Sequence, residues 1–288
     1  MEINVDRLTA GMVLQKDVVG KSGKPIVPKH TTLTDLHINF IKKFLIEKVS
    51  VSPSQSKNDQ ETVEDILEST KENQMLTYLF NQSVQEYQAI FQRVKNNAPL
   101  EMHFIREKWI PIFTKVADQS IKELLSLMDN PSTEEKFYRK NVVVTFLSVA
   151  LMKKIGYEKK DWLQVGFAAL LSDIGVVHVA NDIHAVQGEQ WRLHPIYSYK
   201  LIENEMMLNK LAKLAILQHH EYLDGSGFPT GTKQDKIHPY AQIIALSDYV
   251  VTEYDKKSLN QVISLLNIYK YNKFSKNMVE ALMKEIKE

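Results

Sequence analysis

From Glu61 onward the apolar positions recur at intervals of three and four: Val63, Ile66 and Leu67, then Leu76, Leu79 and Phe80, then Tyr87, Ile90 and Phe91. A period near 3.6 predicts two or three long helices over residues 62–127, interrupted near NNAPL and kinked at Pro111. The stretch DNPSTEEKF at 129–137 is a stop followed by a start, with Pro131 ahead of Ser132 or Thr133 as N-cap and acidic residues in the first turn. Further helices are expected near 134–155, 160–171, 187–204, 207–221, 238–256, 258–269 and 275–287, with no internal repeat. Residues 1–52 follow a different rule, alternating short β-prone runs with turn signals: MVLQKDVV, the GKSGK turn, PIVP and KVSVS. Between the last two runs, LTDLHINFIKKFLIE places Leu36, Phe40, Ile41 and Leu45 on one side of a helix that Thr34 or Asp35 can cap. The pattern divides the chain into a small β-rich module with one helix (1–52), a polar linker (53–61), a helical segment (62–128) and a helical domain (129–288). The fold class is mainly α: an all-α bundle preceded by a small α/β module.

Composition narrows the chemistry. The 288 residues are 44% hydrophobic and 25% charged, enough for one large core and one small one. The longest apolar runs, such as NVVVTFLSVALM at 141–152, are too short to span a bilayer, and MEINVDRL is no signal segment, so a cytoplasmic protein without a membrane partner is expected. With no cysteine, any metal must be held by nitrogen and oxygen, and disulfides and thiol nucleophiles are excluded. The 36 basic and 35 acidic residues are mixed along the chain, leaving no face for nucleic acid.

Against this apolar background stand Asp173, His194, His219, His220 and Asp248. Buried nitrogen and oxygen groups cost free energy unless paired or coordinated. Any one of these is most simply a satisfied polar residue. The adjacent histidines His219 and His220, followed by Glu221 and a loop with Gly225 and Gly227, are more specific. Consecutive helical side chains diverge by about 100°, so the two rings converge on one ion only where a helix ends. His178 and His184 flank a loop and read as surface residues, His238 before Pro239 reads as a helix terminus, and His30, His37 and His103 lie elsewhere.

The motifs LLSDIG (170–175), HPIYSYKLI (194–202), HHEYLDGSGFP (219–229) and AQIIALSDYV (241–250) resemble, in order and spacing, the HD-GYP phosphodiesterases, a branch of the HD-domain metal-dependent phosphohydrolases. The match runs from about 132 to 255, and LTAGMVL with GKPIVPKHTTL resembles the module that often precedes such domains. The resemblance implies two or three metal ions activating a hydroxide against cyclic di-GMP. It carries over metal ligands to Asp173 (also the catalytic residue, if the protein is active), His194, His219, His220 and Asp248, and the signature loop to Asp224, Gly225, Gly227, Phe228 and Pro229.

The carry-over then breaks. The histidine of the HD pair is Ser172, the histidine opening the first helix is Lys140, the lysine after the HD turn is Val176, the arginine of the late apolar helix is Gln242, and the signature tyrosine is Phe228. One metal position keeps its ligands and the other does not. Lys140 is then either a solvated first-turn lysine or a fixed cation standing in for the missing ion near Asp173 and Asp248. The retained set suits one Fe, Mn, Zn or Ni ion, with an inherited hydrogen-bonded core as the bland alternative. Two functions stand side by side: a degenerate, catalytically impaired or inactive signalling module acting through a protein partner or as a homodimer, with cyclic di-GMP contacts weakened, and a metal-dependent phosphodiesterase using the surviving ion on cyclic di-GMP or another phosphate ester.

Overall fold

The computed structural model describes residues 2–19, 25–29, 31–34, 37–38, 41–42, 46, 48–52, 63–128, 135–179, 189–269 and 272–287. It falls into two compact units, Met1–Glu72 and Asn73–Glu288.

In the first unit β1 (Glu2–Asn4), β2 (Val13–Leu14) and β5 (Lys48–Ser52) form an antiparallel sheet in the order β1-β5-β2, while β3 (Val18–Val19) pairs with β4 (Pro25–Val27). The KVSVS run of β5 obeys the period of two: Val49 and Val51 are buried, opposite Ile3 and Leu14, and Lys48 is exposed. Leu14, Leu33, Ile41 and Val51 are its most deeply buried side chains. Thr34 makes the capping contact expected of Thr34 or Asp35, its Oγ1 accepting from His37 N–H while His37 Nδ1 accepts from Thr34 N–H. Asp35, Leu36, Phe40, Leu45, His30 and the linker lie outside the described residues.

The second unit is helical: α1 (Val63–Lys95, which begins in the first), α2 (Met102–Val116), α3 (Ile121–Ser126), α4 (Lys136–Lys154), α5 (Lys159–Leu171), α6 (His194–Ile202), α7 (Lys210–Gln218), α8 (Pro239–Tyr254), α9 (Leu259–Tyr269) and α10 (Lys276–Lys287). The stripe on α1 is core, since Leu76, Phe80, Tyr87, Ile90 and Phe91 are all buried, and the chain breaks after Lys95 as NNAPL requires. Pro111 lies inside α2. The caps expected at Ser132 or Thr133 lie outside the described residues, and α4 begins at Lys136. α4 is buried on every side from Asn141 to Met152 and packs against α5 and α8, so it is the axle of the bundle. The segment expected as one helix over 187–204 is a 3-10 turn (Glu189–Leu193) feeding α6, because Pro195 occupies a first-turn position where its missing N–H costs nothing. No described helix is long and apolar enough to cross a membrane.

Candidate metal centre

Three helix ends converge on one point. α5 stops at Leu171 with Ser172 as C-cap, and Asp173 follows at φ −104°, ψ 4°, the sparsely populated bridge region where site residues are often held. α6 starts at His194, and α7 stops at Gln218 with His219 as its C-cap, shorter than the expected 207–221, so that His219 and His220 leave the helix and can point the same way. Ser198, one turn after His194, clips the first two ends together: its Oγ donates to the Ser172 carbonyl (2.6 Å) and accepts from Gly175 N–H (2.8 Å). Gly175 is required there, because an added Cβ would lie 2.3 Å from Ser198 N and 2.4 Å from the His194 carbonyl oxygen.

The ligating atoms of Asp173, His194, His219 and His220 all lie within 4.8 Å of one another, and the four residues are buried. Asp173 Oδ1 is 2.9 Å from His194 Nε2 and 3.2 Å from His219 Nε2, and those two nitrogens are 3.1 Å apart. Each Nδ1 lies 2.7 Å from a backbone carbonyl, that of Trp191 for His194 and that of Ile216 for His219. A carbonyl only accepts, so both Nδ1 atoms carry hydrogen and a neutral ring directs its Nε2 lone pair at the other ring and at the carboxylate. Three acceptors facing one another call for a cation between them, a proton or a metal ion. His220 adds a buried Nε2 with no hydrogen-bond partner. Burial lowers the His220 imidazole well below its ordinary value, as do the neighbouring His219 and His194, so the ring stays neutral and available as a ligand. For Asp173 burial acts upward, but a proton held between its carboxylate and the Nε2 atoms of His194 and His219 prevails and keeps the carboxyl well below its usual range. The residues therefore fit a metal ion, with a three-imidazole, one-carboxylate donor set.

Asp248 is placed apart from this cluster. Lys140 Nζ lies 2.7 Å from Asp248 Oδ1, and His220 Nδ1 is 3.9 Å from Asp248 Oδ2. Burial acts to lower the Lys140 ammonium, but the charges of Asp248 and Asp173 outweigh it and raise it above its ordinary value. Ser172 is buried and its Oγ donates to Ala169 O at 2.9 Å, so its hydroxyl is committed to its own helix. Val176 is buried in the apolar core, and Gln242 Nε2 donates to Ile237 O at 2.8 Å.

In the signature loop, Asp224 Oδ1 accepts from Ser226 N–H, and Phe228 stacks on His220 with ring centroids 4.5 Å apart. Gly225 takes φ +78°, and a Cβ on Gly227 would lie 2.3 Å from the His220 carbonyl oxygen, which is why both are glycine. Phe228–Pro229 is a cis peptide bond. Two residues escaped sequence reasoning: Trp191, whose ring packs 4.3 Å from that of His194, and Ser198. Glu221, noted there only as following the histidine pair, is buried, and its Oε1 accepts from Thr230 N–H and Oγ1 at 2.7 Å each. The spacing of Ser198 four residues after His194 was the only available signal. His178 is exposed beside Tyr197, His238 caps α8, His103 is exposed on α2, and His184 lies outside the described residues.

Residues 125–269 match the HD-domain family. The chain belongs to that family. This HD-domain chain is 30% identical over 132 residues to the cyclic di-GMP phosphodiesterase PA4108 of Pseudomonas aeruginosa, covering 43% of this chain and 32% of the relative. It is 29% identical over 166 residues to the 3'3'-cGAMP-specific phosphodiesterase 3 of Vibrio cholerae, covering 55% of this chain and 34% of that one. It therefore spans about a third of the length of these curated relatives. Among solved structures, Bd1817, an HDG"Y"P protein from Bdellovibrio bacteriovorus, aligns over 100% of this chain and 99% of its own at a TM-score of 0.51 and 16% identity, which establishes an HD-GYP fold.

Proposed function

We propose that this HD-GYP chain keeps one metal position, held by Asp173, His194, His219 and His220, and has filled the second with the ammonium of Lys140. In this reading it hydrolyses cyclic dinucleotides slowly or not at all and acts in signalling through a protein partner. The observation that carries the reading is the Lys140–Asp248 pair at 2.7 Å beside a four-ligand cluster that omits Asp248. A carboxylate left without its ion would be an uncompensated charge, and a lysine on the neighbouring helix turn neutralises it. Ser172, with its hydroxyl turned back onto Ala169, supports the same loss.

The retained donors suit Fe, Mn, Zn or Ni. A bound ion there supplies Lewis acidity and lowers the pKa of coordinated water, while the second arm of a two-ion clamp is missing. Each such contribution amounts to several kcal/mol, and ~1.4 kcal/mol is tenfold in rate, so the deficit is several orders of magnitude. The substrate class is drawn from the relatives, which are named for cyclic di-GMP and cGAMP.

The test is the double reversion Ser172→His with Lys140→His, assayed for cyclic di-GMP hydrolysis after metal loading. The reading expects turnover to rise at least a hundredfold over the unaltered chain; equal turnover would remove its basis. The complete four-ligand cluster favours a second reading, a phosphodiesterase that works with one ion. Robust turnover by the unaltered chain, lost in His219→Ala, would establish it.

A further inference from the structure

A phosphate ester brought to this centre needs a cation outside the metal to hold its oxygens, and the positions that resemble the family's do not supply one. Val176 is buried in the apolar core. Gln242 is neutral, its amide is committed to the Ile237 carbonyl, and it lines a separate shallow cavity with Leu223 and Ser275. Lys140 is committed to Asp248.

We propose that Arg192 is the phosphate-holding cation of this site. It sits in the 3-10 turn that feeds α6, between Trp191, whose carbonyl fixes His194 at 2.7 Å, and the ligand His194 itself. Its guanidinium carbon is 5.1 Å from the centroid of the Phe228 ring, and that ring stacks on His220 at 4.5 Å. Arg192 is thus tied to the centre from both sides, through the chain to His194 and through an aromatic ring to His220. Among the described residues its side chain makes one long hydrogen bond, Nη2 to Gly227 O at 3.4 Å, and enters no ion pair. It is exposed. A guanidinium that meets no carboxylate among the described residues and has five donors in a planar fork is matched to phosphate oxygens, and its contact to Gly227 is weak enough to be exchanged for them. Trp191 packs on His194 and Phe228 on His220, so Arg192 stands beside the two rings that cover these ligands. The loss of the family-like cations is then a relocation of anion binding from the turn after Asp173 and the start of α8 to the turn before α6.

The inference rests on the reading that one ion occupies the four-ligand centre, and the experiment separates the two. The full chain and the variants Arg192→Ala and Arg192→Lys are loaded with manganese, their metal content is measured, and the binding of inorganic phosphate and of cyclic di-GMP is followed by titration calorimetry on the same samples. Unchanged metal content with about ten- to a hundredfold weaker binding of both probes in Arg192→Ala, a smaller loss in Arg192→Lys and weakening by salt is the expected result. A loss confined to cyclic di-GMP would assign Arg192 to the dinucleotide rather than to phosphate alone, and would still support its role in binding. Arg192→Ala matching the wild type on both probes at equal metal content overturns the inference, as does a metal-loaded wild type that binds neither. A wild type that holds no ion sinks the one-ion reading and this inference with it, and elemental analysis tells that case from the others.

Discussion

Replacing Lys140 with methionine keeps a long stem and removes the charge, leaving Asp248 alone. The two charged atoms are 2.7 Å apart, and the side chains keep 27% and 14% of their surface exposed. At that separation an effective dielectric of ~20 gives an attraction of roughly 6 kcal/mol, most of which is offset by desolvation. Breaking a fully buried pair costs about 3–5 kcal/mol and an exposed pair contributes about 0–1 kcal/mol, so this partly buried pair should cost about 2 kcal/mol when Lys140→Met is made. Asp248→Asn in the same chain removes the stranded carboxylate and should recover about 1 kcal/mol or more of that loss, a coupling outside the error of additivity. Because the folded-state pKa of Lys140 is raised, its contribution is fully present below the unfolded value of ~10.4 and disappears only as pH rises through the folded value, so measurements at neutral pH see all of it. The assay is urea unfolding of the four members of the cycle in the presence of chelator, followed by circular dichroism and extrapolated linearly. Single-variant effects that add to within ~0.5 kcal/mol would refute the pairing and leave Lys140 as an incidental surface lysine.

Ser198→Ala should strand both Gly175 N–H and the Ser172 carbonyl, costing about 1–3 kcal/mol by urea unfolding and about ten- to a hundredfold in metal affinity by competition with a chelating dye. Gly175→Ala drives a Cβ into the α6 backbone and should cost more than ~3 kcal/mol or prevent folding, read from soluble yield and thermal unfolding. His238 caps α8 as a neutral ring, Nδ1 accepting from Tyr240 N–H at 3.2 Å, and burial holds its pKa below the ordinary value. Its cap, worth ~1 kcal/mol, should therefore be present above the unfolded value of ~6.5 and be lost as pH falls toward the lower folded one. His238→Asn should show no such step, and a wild-type-minus-variant stability difference that is flat between pH 7 and pH 5 would contradict the assignment.

Much of this architecture was legible because the core of the second unit obeys a single period. The α1 stripe and the break at NNAPL could be read from positions alone, and the KVSVS alternation gave β5 and its buried valines, whereas the start of α6 at His194, inside the helix expected over 187–204, could not. The site was legible as a set of residue types, since polar groups in apolar segments need partners. What a sequence does not carry is which helix end faces which. The separation of Asp248 from the four-ligand cluster and the Ser198 clip depend on contacts across 20 or more positions. The aromatic cover of Trp191 and Phe228 is local in sequence, but it depends on how the turns before α6 and after α7 fold. The end of α7 at Gln218 rather than at Glu221 has the same origin: His219 turns its Nδ1 to the Ile216 carbonyl, and Gly227 must pass against the His220 backbone.

The central claim is one ion where a two-ion ancestor would hold two. Elemental mass spectrometry of the purified chain, after incubation with iron, manganese, zinc and nickel and removal of free metal, addresses it directly. The account predicts about one equivalent per chain, absent from a His219→Ala, His220→Ala variant. Two equivalents, or none under any of these metals, would contradict it.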